Sequence, residues 1–274
     1  MTISRDAAIS GMVEQQRNIA LIANNLANVN TTGYKRAQVH FQDVLDTLSV
    51  INALTGEVPP DEEPTLSAGV ESLDVLRTFT QGSLQPTQRT LDFSVNGDGF
   101  FRVQLEDGSS AYTRDGTFRI DGAGKLVTGS GDLIDPPVQL PPTFRSLQIS
   151  AGGELSVIRP YTADELAALP PDAPTDGIRE IAGTLELVRF SNPAGLDSIG
   201  GNLYVETDES QPPITGLPGV DGMGQVLSGF LEASNVSVAQ EMTSLVIAMR
   251  SYQLNLNAFR TIEEMLSSAN QLSA

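Results

Sequence analysis

Near the start of the chain apolar residues fall at Met12, Ile19, Ile22, Leu26 and Val29, a three-and-four spacing that polar Gln15 interrupts once. That rhythm predicts an amphipathic helix over about residues 4–29. A longer stretch of the same kind begins near Ser237 and runs through Val238, Met242, Leu245, Met249, Tyr252, Leu256, Phe259 and Leu266. Glu263 breaks it, and the adjacent Ile262 can substitute. Ser237 with Gln240 has capping-box spacing and marks the predicted start. Neither helix stops at one stripe: Ala20, Leu21, Ala23 and Ala27 widen the first, and Ile247, Leu254, Ala258 and Met265 form a second stripe on the other. A hairpin of two such helices buries one face, forgoing about 1.5–3 kcal/mol for each large apolar side chain left wet. Further neighbours are therefore required, supplied either by the body of the same chain or by other copies of it.

Between the helices the period shortens to two. Phe100 to Leu105 reads "FFRVQL", and short apolar runs recur at residues 111–113, 117–120, 126–128, 185–190 and 203–205. Asp-Gly pairs at 98–99, 107–108, 115–116 and 121–122 suit tight hairpin turns. Together these predict a compact antiparallel β domain over about residues 90–208. Three Pro- and Gly-rich stretches, residues 56–64, 160–177 and 209–225, read as loops unsuited to buried central strands. The expected fold class is α+β, with long N- and C-terminal helices forming a coiled-coil region around a central, mainly antiparallel β domain.

Charge sharpens this division. The net charge is −18, yet residues 1–36 balance to +2 and residues 232–274 to −2, so the middle carries the whole excess. Near-neutral ends around an acidic middle fit sheltered termini and a solvated central domain. No basic face offers itself to phosphates, which argues against a nucleic-acid partner. The longest apolar runs, residues 19–23 and 245–249, fall far short of the roughly 20 residues that span a bilayer. "MTISRDAAIS" lacks the basic and apolar segments of a cleaved signal peptide.

Candidate chemistry is sparse. Cysteine is absent and His40 is the single histidine, which removes thiolate nucleophiles, His-rich metal sites and the usual triads. With 34 acidic residues, carboxylate pairs arise by chance, and Asp98, Asp115 and Asp121 read as turn residues rather than a glycosidase pair. "DGAGKL" begins like a calcium loop and then places Lys125 where an oxygen ligand belongs. The reading is of no enzyme, with no catalytic, cofactor-binding or metal-binding residues. What does stand out is "ANNLANVNTTGYKR", residues 23–36, with Asn24, Asn25, Asn28 and Asn30 crowded into a helical pattern. Asn costs a helix several tenths of a kcal/mol relative to Ala, so something must offset it.

Those residues also carry a likeness. "NNLANVNTTGYKR", "VNGDGFFRVQLEDGSSAYTRDGTF" at 95–118, "GLDSIGGNLYVET" at 195–207, and "GFLEASNVSVAQEM" leading into "MRSYQLNLNAF" occur in this order. Together they resemble the bacterial flagellar rod and hook family, nearest its distal-rod branch. Residues 158–180 match none of its blocks. The resemblance implies a structural subunit of the flagellar basal body, exported unfolded through the flagellar type III apparatus without signal cleavage and stacked helically into a shaft that transmits torque to the hook. Implied partners are other copies of the chain, neighbouring rod and hook proteins, the export apparatus and the ring proteins around the shaft. The layout implied is a helix and family motif over 1–36, an extended linker or hairpin over 37–89, an outer β domain over 90–229 with a loop insertion near 160–177, and a C-terminal helix over 230–274.

Subunit contacts are expected at Asn24, Asn25, Leu26, Asn28, Gly33, Tyr34 and Lys35, and at Glu232, Ser234 and Asn235 of the lead-in to the second helix. On that helix they fall on Met242, Leu245, Met249, Arg250, Tyr252, Leu256 and Phe259. The Asn24, Asn25 and Asn28 amides would bond to neighbouring subunits and fix axial register, as buried Asn does in coiled coils. Asn30 with Gly33 is expected to end the first helix through a turn, and Lys35 and Arg36 to meet acidic groups. A proximal-rod, hook or junction subunit of the same family stands as an alternative, and a wall hydrolase as a remote one.

Overall fold

A computed structural model describes residues 2–43, 70–141, 143–150, 152–161 and 177–272. The expected loop at 56–64 and nearly all of that at 160–177 lie outside the described residues. The fold is α+β and divides into two compact units. One comprises Met1–Ala27, Arg36–Thr78 and Val236–Ala274; the other Asn28–Lys35 and Phe79–Asn235. Among the described residues no helix is long and apolar enough to cross a membrane.

The first unit is built on two helices, α1 (Thr2–Ala27) and α2 (Val238–Leu272). Ser237 takes the N-cap position expected of it, its carbonyl accepting from the Glu241 amide at 2.9 Å. Asn25 lies against Glu241, and Gly11 against Asn255, so the helices run antiparallel. Beside them strand Ala37–Asp43 pairs antiparallel with Val70–Arg77, with a bulge between His40 and Phe41.

The helix contact keeps Leu245, Tyr252, Leu256 and Phe259 of the expected stripe and replaces Met242 and Met249 by their neighbours Glu241 and Ala248. Along α2 the least exposed line is Glu241, Ser244, Leu245, Ala248, Tyr252, Asn255, Leu256, Phe259 and Ile262, whereas Met242 and Met249, expected on the seam, are each 48% exposed. On α1 the corresponding line is Gly11, Glu14, Asn18, Ile22 and Asn25. Close approach contributes: a Cβ on Gly11 would stand 2.9 Å from the Asn255 amide nitrogen, so small and polar residues join Leu245, Tyr252, Leu256 and Phe259 on the line.

The second unit is antiparallel β. Among the described residues its largest sheet has nine strands, with Phe100–Gln104 at its centre between Ser110–Thr113 and Leu133–Asp135. Phe100 and Phe101 point to opposite faces and both are buried, Phe101 among Phe93, Phe118 and Leu187, Phe100 among Phe190, Tyr112 and Tyr204. Cover on both faces is why "FFRVQL" begins with two adjacent phenylalanines rather than a strict alternation. A three-stranded sheet, Ser146–Ile149, Glu154–Arg159 and Ile178–Thr184, adds Leu147, Leu155 and Val157 to the first core. Strand Gln225–Ser228 pairs with Phe93–Asn96, and Phe230–Glu232 with Leu84–Pro86. The 209–225 stretch, expected as loop, contains the short strand Ile214–Gly216, which pairs with Leu187–Arg189 and is largely exposed. Pro212 and Pro213 just before it suit that edge position.

Candidate assembly site

The segment that follows α1 is where the sequence motifs meet. Thr31 closes a turn onto Asn28, its amide to the Asn28 carbonyl and its hydroxyl to the Asn28 Oδ1, both at 3.1 Å. Gly33 then turns the chain with φ +68°, and a Cβ there would stand 2.6 Å from the Asp115 amide nitrogen. Only glycine satisfies both demands. The Thr32 hydroxyl donates to Asp115 Oδ1 at 3.0 Å and its carbonyl accepts from Asn202 Nδ2 at 2.9 Å. The Gly33 amide donates to the Glu232 carbonyl at 2.8 Å. The blocks at 95–118, 195–207 and 229–242 thus each send a residue to the segment that ends the first block.

At the centre of this convergence is a buried carboxylate. Glu232 is 1% exposed; its Oε1 accepts from Lys35 Nζ at 2.6 Å and from the Gly82 amide at 2.8 Å, and Arg114 Nη1 lies 3.6 Å from its Oε2. Lys35 Nζ also donates to the Thr80 carbonyl at 2.9 Å, and Arg114 Nη1 to that of Gly97 at 2.9 Å. Burial pulls the Lys35 ammonium below its ordinary pKa against the raising pull of Glu232, with Arg114 adding to the lowering. Burial likewise lowers Arg114, against Glu232 and Asp98. Two cations on one carboxylate need every available acceptor, which the Thr80 and Gly97 carbonyls supply. Asn235 Nδ2 binds the Thr80 carbonyl and hydroxyl at 3.1 and 3.0 Å.

A second network lies in the helical unit. Asn25 is 1% exposed, donating from Nδ2 to the Ala37 carbonyl at 2.8 Å and accepting the Ala37 amide on Oδ1 at 3.1 Å. Its amide thus mimics a strand partner and seats the first strand against the end of α1. The same Nδ2 reaches Glu241 Oε2 at 3.3 Å, while Arg36 Nε binds Glu241 Oε1. Consecutive Lys35 and Arg36 therefore each bury a carboxylate, Glu232 and Glu241, from the lead-in and first turn of α2, in line with the acidic neighbours expected for them.

The expected contact residues fall into two groups. Asn25, Gly33, Tyr34, Lys35 and Glu232 are buried inside the chain, and the Asn25 amide bonds within the chain to the Ala37 backbone. Leu26, Asn28, Ser234, Asn235, Leu245, Tyr252, Leu256 and Phe259 are half-buried, and Asn24, Met242, Met249 and Arg250 are exposed. Sequence reasoning missed Glu241, Thr80, Gly82, Arg114 and Asn202 as members of the networks. Arg114 lies within the "YTRDG" block, but a buried ion pair has no periodicity to betray it.

Around α2, Val238, Met242, Val246, Ile247, Met249, Leu254 and Met265 are 46–68% exposed, an unusually apolar dressing for a solvated helix.

Comparisons with known proteins agree with the motif order. Residues 6–35 match the family model for flagella basal body rod proteins, residues 94–157 that for the flagellar hook protein FlgE/F/G D1 domain, and residues 227–272 that for the flagellar basal body rod FlgEFG protein C-terminal region. The chain is 39% identical to the flagellar basal-body rod protein FlgG of Borreliella burgdorferi over 274 residues, covering 97% of this chain and 96% of the relative. It is 37% identical to FlgG of Buchnera aphidicola over 266 residues, 96% of each chain, and 34% identical to FlgG of Bacillus subtilis over 266 residues, 95% of each. With the family models met in order and these relatives matched over nearly their whole length, the chain belongs to the flagellar basal-body rod protein family and is FlgG-like within it.

Proposed function

We propose that this chain is a structural, non-enzymatic subunit of the flagellar basal body, polymerising helically into the distal rod that carries motor torque to the hook. Its role is then mechanical, and motility depends on it. The observation that carries the reading is the exposed apolar dressing of α2, where Ile247 and Leu254 stand 60% and 68% exposed. Such surface is stabilised by burial, and a shaft of stacked copies buries it on every side. In that arrangement the terminal helices of many copies form an inner coiled-coil tube and the β unit an outer wall. Lateral contacts fall on Asn24, Met242, Met249, Arg250 and the half-buried Leu26, Asn28, Leu245, Tyr252, Leu256 and Phe259. The buried Lys35, Glu232, Gly33 and Tyr34 hold the subunit's own shape.

Delivery follows from the same reading: the chain passes the flagellar export apparatus unfolded, without cleavage of a signal, and meets neighbouring rod and hook proteins at either end of its stack. Full-length likeness to FlgG favours the distal rod over the proximal rod and hook alternatives. Deleting the gene and imaging basal bodies tests this. Shafts that stop short of the distal rod are the expected result, whereas complete rods without hooks, or normal swimming, would count against it.

A further inference from the structure

The β unit contains a cavity of about 270 Å³ whose lining includes Phe79, Phe100, Phe190, Asp98, Arg114 and Arg189. The rings meet edge to face, Phe100 lying 5.3 Å from Phe79 and 5.8 Å from Phe190 between centroids, and the Arg114 guanidinium carbon stands 5.0 Å from the Phe100 centroid. A charged side chain withdrawn from water needs a counter-charge. Arg114 has Glu232 at 3.6 Å. Arg102, the other paired arginine with a sealed nitrogen, has Asp135 at 2.7 Å. The Nε of Arg189, like those of Arg102 and Arg114, is buried without a hydrogen-bond partner; Arg189 differs in that, among the described residues, no carboxylate pairs with it as Asp135 and Glu232 pair with the other two. Among the lining residues Arg114 and Arg189 outnumber Asp98 by one charge.

The rim adds an apolar contact. Arg189 is the direct cross-strand partner of Ile214, which is 45% exposed; directly opposed residues of an antiparallel pair share a face. A net charge of −18 concentrated in residues 37–231 makes each copy a surface rich in carboxylates and poor in cations. Stacked copies repel unless such carboxylates find cationic seats, and a guanidinium fork matches a carboxylate in shape as well as in charge.

We infer that the Arg189 cavity is a socket for an Asp or Glu side chain of a second copy of this chain, seated on the Arg189 guanidinium. This rests on the reading of the chain as a subunit that stacks with itself. The chain's only lysines are Lys35 and Lys125, and Lys35 is buried, so a carbodiimide that couples amines to touching carboxylates meets little background. Basal bodies isolated from a strain carrying Arg189→Lys with Lys125→Arg and treated in this way should yield covalent dimers on denaturing gels. Mass spectrometry should place the link between position 189 and an acidic residue. Arg189→Glu, which sets like charges face to face, should reduce complete basal bodies about tenfold or more while leaving the thermal melt of the purified chain unchanged. Basal bodies that contain the Arg189→Lys chain yet give no dimer through position 189, or normal basal-body numbers with Arg189→Glu, would overturn the socket and leave the rod reading standing. Absence of the chain from isolated basal bodies would overturn both.

Discussion

Glu232 holds Lys35, the Gly82 amide and Arg114 on one buried carboxylate, and the consequences of losing it follow from the cost of orphaned charge. Glu232→Gln leaves two buried cations against a neutral amide and is expected to destabilise the β unit by about 3–5 kcal/mol, read from denaturant unfolding of the purified chain. Lys35→Met should cost a similar amount, since the carboxylate then keeps only Arg114 as a counter-charge. The alkaline behaviour is specific. Because burial lowers Lys35 below its ordinary 10.5, the unfolded chain holds this proton more tightly than the folded one. Between the lowered value and 10.5 unfolding takes up a proton, so this group's contribution rises with pH through that window and is least below it. Unfolding of wild type and Lys35→Met across the alkaline range should show that rise in the wild type only. Asn25→Ala removes both bonds to the Ala37 backbone and strands that peptide's amide and carbonyl, an expected loss of about 1–3 kcal/mol; an unchanged melt would remove Asn25 from the account. The sequence showed that the Asn cluster needed an offset, but not where. A side-chain amide that pairs with a backbone twelve residues on leaves no periodic trace, and neither does a carboxylate 197 residues from its lysine.

At the scale of elements, the helices were legible as helices because a 3.6-residue rhythm survives any packing arrangement. Their contact line was legible only in part: Leu245, Tyr252, Leu256 and Phe259 lie on it as expected, but the antiparallel pair also selects small and hydrogen-bonding residues such as Gly11, Ala248 and Asn255, and these carry little weight in a hydrophobic pattern. The strands at the centre were legible from their turns: two of the Asp-Gly pairs do place glycine at positive φ, Gly99 at 140° and Gly108 at 84°. At Gly116 the demand is steric instead, since a Cβ would fall 1.5 Å from the Phe93 carbonyl oxygen. Strand Ile214–Gly216 escaped notice because its Pro and Gly surroundings read as loop, although an exposed edge tolerates them. The exposed stripe on α2 gives the test at this scale. Ile247→Glu with Leu254→Glu changes residues that are 60% and 68% exposed, so the free chain should unfold within about 0.5 kcal/mol of wild type. In cells the same pair should block rod formation, and swimming at the wild-type rate would show that this stripe does not face another copy.

At the scale of the whole molecule, each unit is stabilised internally by different means. The β unit has two aromatic-rich cores, with Phe93, Phe101, Phe118, Leu185, Leu187 and Tyr204 fully buried. The helical unit has few apolar residues fully buried among its described residues, chiefly Ile22, Ala37 and Ala248, alongside buried Glu14, Asn25 and Glu241. Area removed from water is the main source of stabilisation, so local opening of the helices should take far less free energy than opening of the β unit. Amide hydrogen exchange on the dilute chain is therefore expected to be fast over residues 9–27 and 238–262 and slow over strands such as Phe100–Gln104 and Leu187–Arg189. If stacking supplies the missing burial, the same helical amides in isolated rods should slow toward the values of the β strands. Helices already as protected as those strands in the dilute chain would mean that the pair is self-sufficient, and the exposed apolar residues would then need another explanation than assembly.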